Sequence, residues 1–312
     1  MKAVLPAAAR PLLDGKLPAY LAVAWWSDAA SAKAGIADAE IAWVDMHDKA
    51  AMADTLRAAG ADLRWLTTIY AGLDTLPLDL LAERDAIVTN GTGINAAAVA
   101  DYAVMAVLVA AKRFDQVVRA HDRREWLRQP PGTIEPDGTA ALVIGHGTIG
   151  RMIGERLQAF GVRVTGVTRS GREGTLAPGA WRERLGAFDW VILAAPSTGE
   201  TRAMIGGPEL AAMKAGAWLV NIARGAMIDD DALVAALHAG TIGGAFLDPT
   251  DPEPLPADHP LWRAPNCLIS MHLSGRSQTS MFPRAAALFL DNLAAYRAGA
   301  PMRNVVDLAA GY

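Results

Sequence analysis

The 312-residue chain is 52% hydrophobic and 20% charged, which sets it among globular chains long enough for two buried cores and apart from disordered or fibrous classes. Its formal net charge of −4 leaves none of the basic surplus with which a nucleic-acid binder neutralises phosphates. A single cysteine, Cys267, excludes an intrachain disulfide, and its setting Asn266-Cys267-Leu268-Ile269 marks it as a small core residue of a buried strand. The amino terminus pairs Lys2 with an apolar patch broken by Pro6, Arg10 and Pro11, which makes a poor signal peptide. The apolar run at 96–111 is too short for a membrane span and contains Asp101, so no membrane partner and a cytoplasmic location are expected.

Strand-like and helix-like segments alternate, which argues for an α/β fold with largely parallel sheets. In chain order, residues 40–44 and 63–68 read as buried strands, and 47–59 between them has helical composition closed by Gly60. A short strand at 86–89 runs into Asn90-Gly91-Thr92-Gly93, a hinge-like glycine pair ahead of a long alanine-rich helix over 96–114. The mixed-charge run 119–128 reads as a solvated helix face. After a loop dense in proline and glycine at 129–138, Thr139-Ala140-Ala141-Leu142-Val143-Ile144 is the continuous apolar run of a parallel strand buried on both faces. Further strands fall at 163–168, 190–194, 217–222, 244–247 and 267–270.

Gly145-His146-Gly147-Thr148-Ile149-Gly150 follows the 141–144 strand directly and opens a helix over 149–160, which Gly161 terminates. In that context the glycines let backbone approach a pyrophosphate, and the helix amides and dipole can hold it, so a dinucleotide is expected. At the end of the next strand an NAD site places an acid for the ribose 2′-hydroxyl. This chain has Thr168-Arg169-Ser170-Gly171-Arg172 there instead. Arg169 and Arg172 with Ser170 suit a 2′-phosphate, so NADP(H) is expected over NAD(H). Three more polar signals lie just past predicted strands: Asn221-Ile222-Ala223-Arg224-Gly225, Asp248 with Asp251-Pro252-Glu253-Pro254-Leu255-Pro256, and Ser270-Met271-His272-Leu273-Ser274. Ligands of open α/β sheets bind at those strand ends. No metal site is expected, because the six histidines do not pair with Cys, Asp or Glu at ligand spacing.

In spacing and order these signals resemble the D-isomer-specific 2-hydroxyacid dehydrogenase family, from about Leu63 onward. Within it the chain is most similar to the bacterial glyoxylate/hydroxypyruvate reductases, on length, the loop Tyr70-Ala71-Gly72-Leu73-Asp74, the arginine-bearing cofactor loop and the terminal Gly311-Tyr312. The family's D-V-F is here Asp248-Pro249-Thr250, and the first sixty residues match poorly. The resemblance implies two Rossmann-like, doubly wound domains with the active site in the cleft between them. A substrate-binding, flavodoxin-like domain would comprise 1–89 plus 284–312, and a dinucleotide-binding domain 90–283. It makes Arg224, Glu253 and His272 the catalytic residues, and gives the substrate carboxylate to Arg224 and the amides of Ala71 and Gly72. Along the cofactor it places the glycine motif, Ala195, Pro196, Thr201, Ile222, Ala223, Arg224 and His272, with Asp248 at the nicotinamide carboxamide. It further implies a homodimer built around the 96–114 helix.

The expected reaction is reduction of a small 2-ketoacid, glyoxylate or hydroxypyruvate, to the 2-hydroxyacid. Hydride goes to the keto carbon while His272, an imidazole that titrates near neutral pH, protonates the developing alkoxide. Glu253 would hold the far ring nitrogen, and the planar fork of Arg224 would hold the carboxylate and polarise the keto oxygen. The alternatives are another D-2-hydroxyacid specificity, or a dinucleotide-sensing regulator on the same fold.

Overall fold

The computed structural model describes every residue except 74, 75, 172, 173, 277, 278 and 309–312. Its chain folds as two compact units, Met1–Asn95 with Ser277–Tyr312, and Ala96–Arg276.

The first unit alternates strand and helix: β1 (Lys2–Pro6), α1 (Arg10–Leu13), β2 (Ala22–Trp26), α2 (Ala29–Ile36), β3 (Ile41–Ala42), α3 (Lys49–Arg57), β4 (Trp65–Thr67), α4 (Leu78–Glu83) and β5 (Ile87–Thr89). Every pairing is parallel and the order is β2-β1-β3-β4-β5, the doubly wound arrangement whose strand order reverses between β1 and β3. Two helices start where an aspartate supplies the missing acceptor: Asp28 and Ser31 form a reciprocal capping box on α2, and Asp48 accepts from Ala51 N on α3. The sheet is buried on both faces. Met52, Leu56, Leu66 and Val88 pack on one side, and Leu5, Trp43 and Trp65 on the other.

The ladder of β3 is shorter than the run 40–44, and β1, β2 and α2 fall in the stretch that carried no strand or helix expectation. After Lys2, β1 is a short apolar run leading into Ala7-Ala8-Ala9, with no alternation to separate strand from helix.

The second unit holds α5 (Ala96–Lys112), α6 (Phe114–Asp122), β6 (Ala140–Ile144), α7 (Thr148–Ala159), β7 (Arg163–Val167), β8 (Thr175–Leu176), β9 (Trp190–Leu193), α8 (Gly207–Ala212), β10 (Trp218–Asn221), α9 (Asp230–His238), β11 (Gly244–Leu247) and β12 (Cys267–Ile269). All seven strands are parallel, in the order β12-β11-β10-β9-β6-β7-β8, so strand order reverses between β6 and β9. This is the Rossmann order, extended by one strand at the β11 edge. β6 is buried along its whole length: Leu142 and Ile144 face one apolar layer, Ala141 and Val143 the other. The second layer includes Ala103, Val107 and Ala110 of α5.

The long helix expected over 96–114 is two helices, because Arg113 turns left-handed (φ 48°) between α5 and α6. α6 ends at Asp122, so the second half of the mixed-charge run 119–128 is an exposed loop rather than a helix face. Among the described residues, no helix is long and apolar enough to cross a membrane.

The chain returns to the first unit as α10 (Met281–Ala298). Its Phe289 is 1% exposed and stacks on Trp65, with ring centroids 5.3 Å apart. Burying a ring of that kind stabilises by about 1.5–3 kcal/mol. Tyr296 Oη donates to Glu40 Oε1 at 3.0 Å, fixing the far end of the helix.

Candidate active site

Because every strand of the second unit is parallel, all of its candidate residues leave the sheet at one edge. Gly145 (φ 97°) directly follows β6, and a Cβ there would stand 2.3 Å from the backbone nitrogen of Ala195, just past β9. The glycine motif therefore sits at the point where strand order reverses. A Cβ on Gly150 would meet the Gly145 carbonyl oxygen at 2.2 Å, which explains the third glycine as close packing of α7 on the turn. Gly147 is different: nothing lies within 4 Å of its Cβ position, and it opens α7 with no side-chain cap. Open space above bare first-turn amides fits a pyrophosphate. His146 donates its N–H to Val167 O at 2.8 Å, and its ring lies over Gly166, where a Cβ would come 2.4 Å from His146 Cγ. Thr148 and Ile149 begin α7.

Arg169 and Ser170 are exposed past the end of β7. The Arg169 guanidinium lies 3.9 Å from Glu200 Oε1, with both side chains more than 70% exposed. Glu200 had not been singled out from sequence, and it places a carboxylate beside the arginine meant for phosphate. Arg172 lies outside the described residues. In the loop after β9, Thr201 Oγ1 donates to Pro196 O at 2.9 Å and accepts from Thr198 N at 2.8 Å, so Thr201 staples the segment that contains Ala195 and Pro196.

Arg224, Glu253 and His272 follow the neighbouring strands β10, β11 and β12. Asn221 shapes the first of these loops: its Oδ1 accepts from Ala223 N at 3.0 Å and its Nδ2 donates to Arg224 O at 2.8 Å. Ile222 and Ala223 are each 7% exposed, whereas Arg224 is partly exposed and gives one N–H to Ala223 O. The next loop abuts it, for a Cβ on Gly225 would lie 2.1 Å from the Thr250 carbonyl carbon. Thr250 N in turn donates to Glu253 Oε1 at 3.2 Å. The other oxygen, Glu253 Oε2, stands 2.9 Å from His272 Nδ1. The far nitrogen of the imidazole is left for another partner.

Met271 and His272 are both left-handed, with φ of 58° and 55°. For side-chain-bearing residues that conformation costs on the order of 1 kcal/mol each. Asp248 offsets it. Its carbonyl accepts from His272 N at 2.8 Å, while its carboxylate accepts from Ser270 Oγ, Leu273 N and Ser274 N at 2.7 to 3.2 Å. Asp248 is only 1% exposed. Asp248, expected at the nicotinamide carboxamide, thus also holds the turn that presents His272.

In the first unit, Ala71 and Gly72 follow β4. The carbonyls of Tyr70 and Ala71 accept from Gly91 N (2.9 Å) and Asn90 Nδ2 (3.0 Å). Gly91 fits because it lies flat on Ile69, where a Cβ would come 1.9 Å from the carbonyl oxygen. Asp74, in the same sequence motif, and the terminal Gly311-Tyr312 lie outside the described residues. Sequence reasoning missed Asp45, past the end of β3, which bonds Thr68 and Ile69 just ahead of this loop. Its signal was available: an acid just after a strand, where the other candidates also stand.

Burial pushes the Cys267 thiol up to about 12, so the lone cysteine is no thiolate nucleophile near neutral pH. Among the described residues there is no His, Cys, Asp or Glu cluster that could hold a metal ion.

Residues 104–274 match the family described as D-isomer specific 2-hydroxyacid dehydrogenase, NAD binding domain. Glyoxylate/hydroxypyruvate reductase B of Pectobacterium carotovorum is 33% identical over 259 residues, covering 78% of this chain and 79% of that one. A D-isomer specific 2-hydroxyacid dehydrogenase family protein from Aeromonas salmonicida superposes with a TM-score of 0.88 at 30% identity, over 98% of both chains. An NADPH-dependent glyoxylate/hydroxypyruvate reductase from Sinorhizobium meliloti, in complex with NADP and malonate, superposes with a TM-score of 0.79 at 26% identity, over 99% of this chain and 97% of that one. The chain belongs to the D-isomer specific 2-hydroxyacid dehydrogenase family. It is an NAD(P)-dependent oxidoreductase acting on the CH–OH group.

Proposed function

We propose that the protein reduces small 2-ketoacids, glyoxylate and hydroxypyruvate, with NADPH in preference to NADH and with His272 as the acid. The observation that carries this reading is the 2.9 Å contact between His272 Nδ1 and Glu253 Oε2 at the edge that also bears Arg224. A carboxylate on one ring nitrogen fixes the imidazole, leaving Nε2–H to donate.

NADPH held at the glycine motif would supply the hydride. The bare first turn of α7 and the open face of Gly147 hold the pyrophosphate, with Ala195, Pro196, Thr201, Ile222 and Ala223 alongside. Arg169 and Ser170, exposed past β7, take the 2′-phosphate, and Arg172 is assigned to it as well. Arg224 is assigned the substrate carboxylate and the keto oxygen, and the amides of Ala71 and Gly72 are assigned the carboxylate as well. His272 Nε2 would give its proton to the keto oxygen as that oxygen becomes the alcohol. Glu253 holds the imidazole until it is reprotonated. Residues 90–283 are the cofactor domain in this reading, and 1–89 with 284–312 the substrate domain.

Two further assignments accompany it. A homodimer is supported by a mostly apolar hollow of about 400 Å³ between α5 and α7, lined by Val104, Met105, Leu108 and Phe160 together with the ion-paired Asp101 and Arg156 and open at the surface. The unpaired Cys267 thiol suits a reducing cytoplasm. Steady-state assay of a ketoacid panel against NADPH and NADH tests the whole reading. The expected result is the highest kcat/KM for glyoxylate or hydroxypyruvate with NADPH. A higher value for phenylpyruvate would refute the small-substrate assignment.

A further inference from the structure

In the first unit strand order reverses between β1 and β3, and ligands of doubly wound sheets bind past the strand ends near such a point. The residue standing there is Asp45. Its carboxylate takes the hydroxyl of Thr68 on Oδ1 at 2.5 Å, and on Oδ2 the amide of Ile69 at 2.6 Å and the indole N–H of Trp43 at 2.9 Å. Thr68 Oγ1, having donated its proton to Asp45, accepts from Tyr70 N at 3.1 Å. The Tyr70 hydroxyl then donates to Met46 O at 3.1 Å, and the Lys49 ammonium sits 3.1 Å from the centre of its ring. Asp45 and its partners thus fix the backbone immediately before Ala71 and Gly72.

A neutral residue could fill this space without the cost of placing a charge in it. That cost is visible, for burial raises the Asp45 carboxyl to about 6 against the pull of Thr68, Ile69, Trp43 and Lys49. What a carboxylate adds is acceptor capacity aimed at successive groups of one loop.

We propose that Asp45 is a positioning residue. Through Thr68 and Ile69 it sets the Tyr70-Ala71-Gly72 backbone, and with it the direction of the amides that receive the substrate carboxylate. This rests on the ketoacid reading above and adds to it the residue that determines carboxylate affinity.

The test uses Asp45→Asn, which keeps the shape and removes the charge, and Thr68→Val, which keeps Asp45 and cuts its link to Tyr70. Glyoxylate KM and kcat at saturating NADPH, the NADPH dissociation constant and Tm are measured for each. Both variants are expected to raise the glyoxylate KM about tenfold or more, the change that loss of a charge-assisted hydrogen bond produces, with NADPH affinity unchanged. Should Asp45→Asn not fold, Thr68→Val carries the measurement alone. Wild-type KM in the folded variants, with or without a lower Tm, would overturn the proposal by showing that the network only supports the fold. A wild-type protein without ketoacid turnover would instead remove the underlying reading, and this inference with it.

Discussion

Gly225 packs against Thr250 so closely that a Cβ on the glycine would lie 2.1 Å from the threonine's carbonyl carbon. The loop carrying Arg224 and the loop carrying Glu253 are therefore seated on one another, backbone to backbone. A methyl group at Gly225 can be accommodated only by moving one of them. Gly225→Ala is expected to lower kcat/KM at least tenfold and to lower Tm, since small displacements of catalytic groups cost about a hundredfold in rate. Gly207→Ala is the control: nothing lies within 4 Å of that Cβ position, and activity there should be unchanged. Wild-type kcat/KM in Gly225→Ala would show that the two loops need not keep register.

His272→Ala is expected to lower kcat by about a hundredfold to ten-thousandfold, the usual cost of losing an acid catalyst, with NADPH affinity nearly intact. Glu253→Gln should fall short of that loss, because it keeps a hydrogen-bonding partner on Nδ1 and removes only the charge. Stopped-flow single turnovers separate chemistry from product release in both. A His272→Ala turnover within about threefold of wild type, worth under ~1 kcal/mol, would take the proton-donor role away from it.

Cofactor choice turns on Arg169 and on its neighbour Glu200, 3.9 Å away. Both are exposed, so their mutual attraction is weak and easily given up for a phosphate. Arg169→Ala is expected to cut the NADPH-to-NADH ratio of kcat/KM about tenfold or more, as loss of one charge-assisted contact should. Glu200→Gln removes a carboxylate from the vicinity of a 2′-phosphate and should move the ratio the other way. A ratio that neither substitution moves would mean that Arg169 takes no part in cofactor choice.

Asp230, at the start of α9, offers a stability test with a defined sign. Burial raises its carboxyl to about 6, against the pull of His259 and with the repulsion of Asp251, Asp229 and Asp231. A carboxyl raised in the folded state binds its proton more tightly there than in the unfolded chain. Its contribution to stability is therefore greatest at low pH, declines as pH climbs from about 4 to about 6, and is level above that. Asp230→Asn should accordingly gain on wild type as pH rises through that window, measured by urea unfolding at pH 4 and pH 7. A difference independent of pH would exclude Asp230 as the group involved.

The second unit was the legible one. Gly145, Arg224, Glu253 and His272 come after apolar strands, and a parallel sheet sends every such strand end to the same edge, so sequence order grouped them. The hydrogen bonds of Asp248 were less open to reading, because its carboxylate accepts from Leu273 and Ser274, 25 and 26 residues further on. Asp45 escaped for the same reason, with partners at separations of 23 and 24. The break at Arg113 had no local signal, since alanine-rich sequence continues a helix until tertiary packing stops it. In the first unit β1 and β2 lacked the alternation that distinguishes a strand, because both faces of that sheet are covered.

The return of α10 to the first unit bears on how the protein is made. Residues 96–276 form a unit that is complete once they have left the ribosome. The other unit was begun earlier, yet it lacks Phe289, Leu288 and Leu293 until α10 has been synthesised. For that interval Trp43 and Trp65, each 1% exposed or less in the finished fold, have no helix to close over them. Domains fold as units during synthesis, so the later-made unit is expected to fold first. A chain truncated before Met281 should accordingly fold its second unit and aggregate through the other.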